Sequence, residues 1–74
     1  MHYEDRVRAL REDHDLSQAS VADELHVAQT TYSDYENGKL RIPVDVLISL
    51  AQFYNVDMNY ICGISADKKR FPKK

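Results

Sequence analysis

The sequence predicts an all-α fold of five short helices around one small core. Three observations predict it. Apolar residues recur at helical spacing in segment after segment. Glycine and proline are scarce, two of each, too few for a sheet with many turns. Residues that start or stop helices stand between the apolar segments: Ser17, Asn37-Gly38, Pro43, Asn55, Asp57 and Gly63. Seventy-four residues make one domain, and a chain of this size has to pattern a modest core well.

The first helix is expected over residues 3–14, where Tyr3, Val7 and Leu10 fall at i, i+4, i+7 and face the core. Its other face offers the i,i+4 pairs Glu4–Arg8 and Arg8–Glu12, solvated and worth a few tenths of a kcal/mol each. The second helix is expected over 18–25. Ser17 is its N-cap, and Val21, Ala22 and Leu25 share one face. Ser20 stands where a capping box would place Glu or Gln, so half of that device is present. Asp23 and Glu24 lie late in this helix, on the unfavourable side of its dipole.

His26-Val27 breaks the periodicity, and a third helix begins near Gln29. Ala28 at its N-cap position has no side chain to cap with, a cost of about 1 kcal/mol. Tyr32 and Tyr35 mark the buried side, and Asn37-Gly38 ends the helix with residues that tolerate left-handed dihedrals. Pro43 suits the first turn of a fourth helix, expected over 43–54. Its stripe is Leu47, Leu50, Ala51 and Tyr54; Ile48 and Phe53 lie off it, either widening the core face or staying exposed to meet another subunit. Asn55 closes that helix, Asp57 caps a fifth over 58–62, and Gly63 stops it. Residues 1–64 are read as the domain and 65–74 as a basic tail with Phe71 as its anchor.

The second and third helices belong together. Two short helices on a tight turn, the later one carrying Gln29, Thr30, Thr31, Ser33 and Asp34, have the layout of a helix-turn-helix. In Leu16-Ser17-Gln18, Ala22, Leu25, Val27, the Tyr32–Tyr35 spacing and Glu36-Asn37-Gly38, the run resembles the Cro/C1-type (XRE-like) helix-turn-helix family of small bacterial and phage transcriptional regulators. Pro43, Leu47, Leu50-Ala51, Tyr54, Val56 and Ile61 extend the resemblance to residues 3–63.

The resemblance implies a lambda-repressor-like domain acting as a sequence-specific DNA-binding transcriptional regulator, a repressor. One helix reads only a few base pairs, so a homodimer on a two-fold operator is expected. It implies roles residue by residue. Gln18 donates to a phosphate. Gln29, Thr30 and Ser33 approach base edges, with Thr31 and Asp34 beside them. Lys39 and Arg41 clamp the backbone. Asn37 either contacts phosphate or caps the helix. Arg11 pairs with Glu36. At His26 the chain departs from the family, where glycine is usual; the readings are a tolerated turn residue or a pH sensor.

The charge runs against this implication. Net charge is −2, and up to Ala66 five basic residues face eleven acidic ones, while the tail from Asp67 has five basic against one acidic. Nucleic-acid domains are usually basic, because phosphate neutralisation supplies most non-specific affinity; the charge at the docking face matters more than the sum. The acidic body favours a competing reading, a protein-interaction module of the antirepressor kind. A DNA-binding antitoxin of a toxin–antitoxin pair fits the same residues.

An enzyme is not expected, nor a catalytic group, a cofactor or a metal. His2, His14 and His26 are far apart, and none is spaced with Cys62 as in a zinc site. Cys62 has no evident base, the carboxylates fall on exposed faces, and no glycine-rich loop could cradle a phosphate. No apolar run approaches the ~18 residues of a membrane span, and the first six residues lack a signal-peptide layout. With one cysteine and so no internal disulfide, a reducing cytoplasm is the expected location. The expected partners are double-stranded DNA and a second copy of the chain.

Overall fold

Helix propensity and capping place five helices among residues 3–72, which a computed structural model describes. They are α1 (Tyr3–Asp13), α2 (Gln18–Leu25), α3 (Gln29–Glu36), α4 (Val44–Tyr54) and α5 (Met58–Ile61), with no strand among the described residues. His2, Lys73 and Lys74 lie outside them.

The caps are the ones the sequence offers. Ser17 Oγ accepts from Ser20 N at 3.0 Å and opens α2; Asp57 Oδ1 accepts from Tyr60 N at 2.8 Å and opens α5. In place of a capping-box carboxylate, the Ser20 hydroxyl accepts from Ser17 Oγ at 2.9 Å. Pro43 is the N-cap of α4 rather than its first residue, with extended backbone, and α1 and α5 each stop one residue short of the expected end. At the end of α3 only Gly38 is left-handed (φ 75°); Asn37 stays helical (φ −87°). Among the described residues three non-glycine residues take the left-handed region after helices, Asp15, His26 and Asn55, with φ between 54° and 59°. Histidine, aspartate and asparagine are among the side chains that tolerate it best.

Each helix contributes its apolar face to one core. Val7 and Leu10 come from α1, Val21 and Ala22 from α2, Tyr32 and Tyr35 from α3, Leu47, Leu50, Ala51 and Tyr54 from α4, and Ile61 from α5. Ile42 and Val56 enter from the connecting segments. Tyr3 and Leu25 pack at its edge, half-buried. Ile48 and Phe53 are exposed, so the core face of α4 is the narrow stripe. α3 packs against both α1 and α2, which is what fixes its direction.

The segment after α5 folds back. Arg6 Nη1 donates to Tyr60 O (3.2 Å) and Ser65 O (3.3 Å), and its guanidinium lies 4.0 Å from the Tyr60 ring centroid. Asp57 N donates to Lys69 O at 2.8 Å, and Phe71 packs against the core. Lys68, Lys69 and Arg70 remain exposed.

Candidate nucleic-acid interface

The site is built around one buried carboxylate. Glu36, the last residue of α3, is 2% exposed. Its Oε2 accepts from Arg11 Nε at 2.7 Å; its Oε1 accepts from Arg11 Nη2 and from Gln18 Nε2, each at 3.2 Å. Arg11 Nη1 donates to Leu16 O at 2.8 Å, so each of the three guanidinium nitrogens donates a bond. α1, α2 and α3 are thereby tied at one point. Burial by itself would raise the Glu36 pKa; the interactions with Arg11, the neighbouring Tyr32 hydroxyl and Gln18, with the Arg11 charge, outweigh it and hold the carboxyl below its usual range. The same bond raises Arg11.

Arg8 joins this cluster, which corrects the sequence reading. Rather than pairing with Glu4 or Glu12, its Nε lies 3.5 Å from Glu36 Oε1. Its Nη2 donates to Glu36 O at 3.3 Å and to Asn37 Oδ1 at 2.8 Å. The available signal was its place three residues before Arg11, one turn back on the same helix face.

Two phenols lie near this carboxylate. The Tyr32 hydroxyl is buried with no partner at hydrogen-bonding geometry. Burial first, then the direct interaction with the neighbouring Glu36 carboxylate and its charge, push its pKa well above the tyrosine value. Tyr54, likewise buried and unpartnered, is pushed up to about 12, mainly by burial.

The residues proposed for recognition separate into groups. Gln29 and Thr30 are exposed at the start of α3. That start has no side-chain cap, since Ala28 takes the N-cap position with extended backbone (φ −66°, ψ 146°). Its free N–H groups and the positive end of the helix dipole are open to an anion. Thr31, Ser33 and Asp34 are half-buried. Ser33 Oγ accepts from Asn37 Nδ2 at 3.3 Å. Lys39 and Arg41 are exposed in the loop after α3, and Asp34 O accepts from Lys39 N at 2.9 Å, fixing where that loop starts. Gln18 is half-buried, with its amide turned to Glu36.

His26 sits in the turn between α2 and α3, exposed and left-handed (φ 59°). Its N–H returns to α2 carbonyls, as a C-cap does. Cys62 is a half-buried free thiol. Among the described residues no group of three or more His, Cys, Asp and Glu could hold a metal ion, and no helix is long and apolar enough to cross a membrane.

The sequence compares with known proteins along this same stretch. A family model described as helix-turn-helix matches residues 7–61. An uncharacterised HTH-type transcriptional regulator, YobD, of Bacillus subtilis is 35% identical over 65 residues, 88% of this chain and 58% of that protein. The cryptic phage CTXphi transcriptional repressor RstR of Vibrio cholerae is 35% identical over 54 residues, 73% of this chain and 49% of that protein. The chain thus spans about half the length of these relatives. No solved structure gives a significant match. With the helical pair at α2 and α3, its buried Arg11–Glu36 lock and a family match across most of its length, the chain belongs to the Cro/C1-type helix-turn-helix family.

Proposed function

We propose that the chain is a sequence-specific DNA-binding transcriptional regulator, a repressor that works as a homodimer on a two-fold operator. One observation carries this reading: Gln29 and Thr30 stand exposed at the open end of a helix whose other end is locked to the core. A glutamine there reads adenine N6 and N7 with its two-headed amide, and threonine offers a methyl to thymine and a hydroxyl to donors or acceptors. Ser33 reads beside them, with Thr31 and Asp34 at the edge of the contact. Lys39 and Arg41 hold the phosphates on one side, and Gln18 and Asn37 reach them through the N–H groups their internal bonds leave over. One short helix covers few base pairs, so specificity comes from two half-sites about 34 Å apart. The second copy docks through α4, α5 and the tail, where Ile48, Phe53 and Tyr60 lie outside the helix-turn-helix.

Selection of bound duplexes from a random pool by the full chain tests the reading. The expected result is an enriched two-fold sequence whose affinity falls steeply with added salt. Sedimentation with that duplex is expected to show two chains per site. The second reading, a protein-interaction module, is favoured by the acidic body and by exposed Leu40, Val44 and Ile64. A pool that yields no enriched sequence would favour it over the first.

A further inference from the structure

We infer that Arg8, on a helix outside the helix-turn-helix, sets which base Ser33 prefers, by fixing the direction of a hydrogen-bond relay through Asn37. The inference rests on the DNA-binding reading above and adds a specificity-determining residue to it. A guanidinium has only donors. Arg8 Nη2 reaches Asn37 Oδ1 at 2.8 Å, so the Asn37 amide is held with its oxygen toward α1. Its NH2 group is then turned to Ser33 Oγ, 3.3 Å away, and it too can only donate. Ser33 is therefore the acceptor in that bond.

Ser33 keeps its proton and one lone pair, and the bond it accepts from Asn37 polarises the hydroxyl toward donating. Helical serines commonly donate that proton to the carbonyl one turn back, as Ser49 does to Asp45 O at 3.1 Å. Ser33 makes no such bond among the described residues; its hydrogen bond is the one it accepts. Its O–H is left to donate outward from α3. In the major groove a donor suits guanine N7 and O6, adenine N7 and thymine O4, and it finds no acceptor on cytosine, whose edge presents N4–H2. Arg8 is a positioning residue here: it touches no base, yet by orienting Asn37 it determines whether the Ser33 proton is free to face the duplex.

The test is selection from a random duplex pool by the full chain and four variants, read position by position, with thermal melting of each protein alongside. The wild type is expected to disfavour cytosine at one position per half-site by about five- to tenfold. Ser33→Ala and Arg8→Met should each flatten that position and leave the ones read by Gln29 and Thr30 as they were. Arg8→Lys keeps a donor toward Asn37 and should keep the preference. Asn37→Asp replaces the NH2 by an acceptor, draws the Ser33 proton inward and should turn the preference toward cytosine or adenine, whose exocyclic amines donate. Specific wild-type binding with the Ser33 position unmoved by Arg8→Met and Asn37→Asp overturns the relay while leaving DNA binding standing. A melted Arg8→Met protein leaves Asn37→Asp and Ser33→Ala to decide. Absence of any specific wild-type binding overturns both readings together.

Discussion

The two ends of α3 are built in opposite ways. At its C-terminus Glu36 is buried, bonded by Arg11 and Gln18 and approached by Arg8, and Gly38 turns the chain away in a left-handed conformation. At its N-terminus Ala28 caps nothing, and Gln29 and Thr30 stand in solvent. A helix of two turns has little stability of its own and takes it from packing. Concentrating the polar partners at one end frees the other to keep its N–H groups and side chains unengaged, as an external anion and a base edge require. On the function proposed above, the contrast separates order from recognition: one end decides whether the helix exists, the other what it meets.

The largest test breaks the locked end. Glu36→Ala leaves Arg11 half-buried and without its carboxylate, and should cost about 3–5 kcal/mol in a denaturant melt, most of what a domain this small has. Acid should do the same more gently. The folded pKa of Glu36 lies below its ordinary 4.5, so its contribution is whole above that pH and is lost as the pH falls through the folded value. A melt of Glu36→Gln should show a shallower acid decline than the wild type.

The next test works on the open end. Gln29→Ala should leave the melting temperature within noise yet lose about 1–3 kcal/mol of discrimination at one base position. Lys39→Ala should weaken all duplexes alike and flatten the salt dependence. Equal losses on every sequence from both variants would merge the roles that the contrast keeps apart.

A smaller effect comes from making the open end resemble the closed one. Ala28 already has the extended backbone of an N-cap, so Ala28→Ser should stabilise the fold by about 1 kcal/mol. The added hydroxyl would occupy an N–H that a phosphate would otherwise meet, and affinity for all duplexes should fall slightly. The smallest effect lies beneath the lock. Tyr54→Phe removes a buried hydroxyl with no partner and should be neutral or stabilising by about 1 kcal/mol at neutral pH. The Tyr54 pKa rises on folding from 10.0 to about 12, so its contribution is complete below pH 10 and is lost above it. The variant should therefore resist alkaline unfolding better in a pH-dependent melt.

Much of this architecture was legible in the chain because it is local. The apolar spacing of Val7 and Leu10, of Tyr32 and Tyr35, and of the Leu47–Tyr54 stripe recurs within one or two turns, and all of these residues are buried. Ser17 and Asp57 cap through backbone groups three residues away. His26, at the turn position where the resembled family has glycine, is left-handed. The Arg11–Glu36 pair was legible through family resemblance, since the two are 25 residues apart.

The sequence by itself determined the five helices, their buried faces, the position of the turn and the polar set on α3, because each follows from interactions spanning a few residues. The tertiary structure decided the rest. It drew Arg8 from Glu4 and Glu12 to Glu36, turned the Gln18 amide inward, aligned Asn37 between Arg8 and Ser33, and brought Lys69 O to Asp57 N. The physical reason is competition among partners. A solvated pair one turn away is worth a few tenths of a kcal/mol, whereas a buried carboxylate with spare lone pairs holds the Arg8, Arg11 and Gln18 donors that packing brings within reach. Which donors those are depends on how α1 and α2 lie against α3, and no window of sequence contains that.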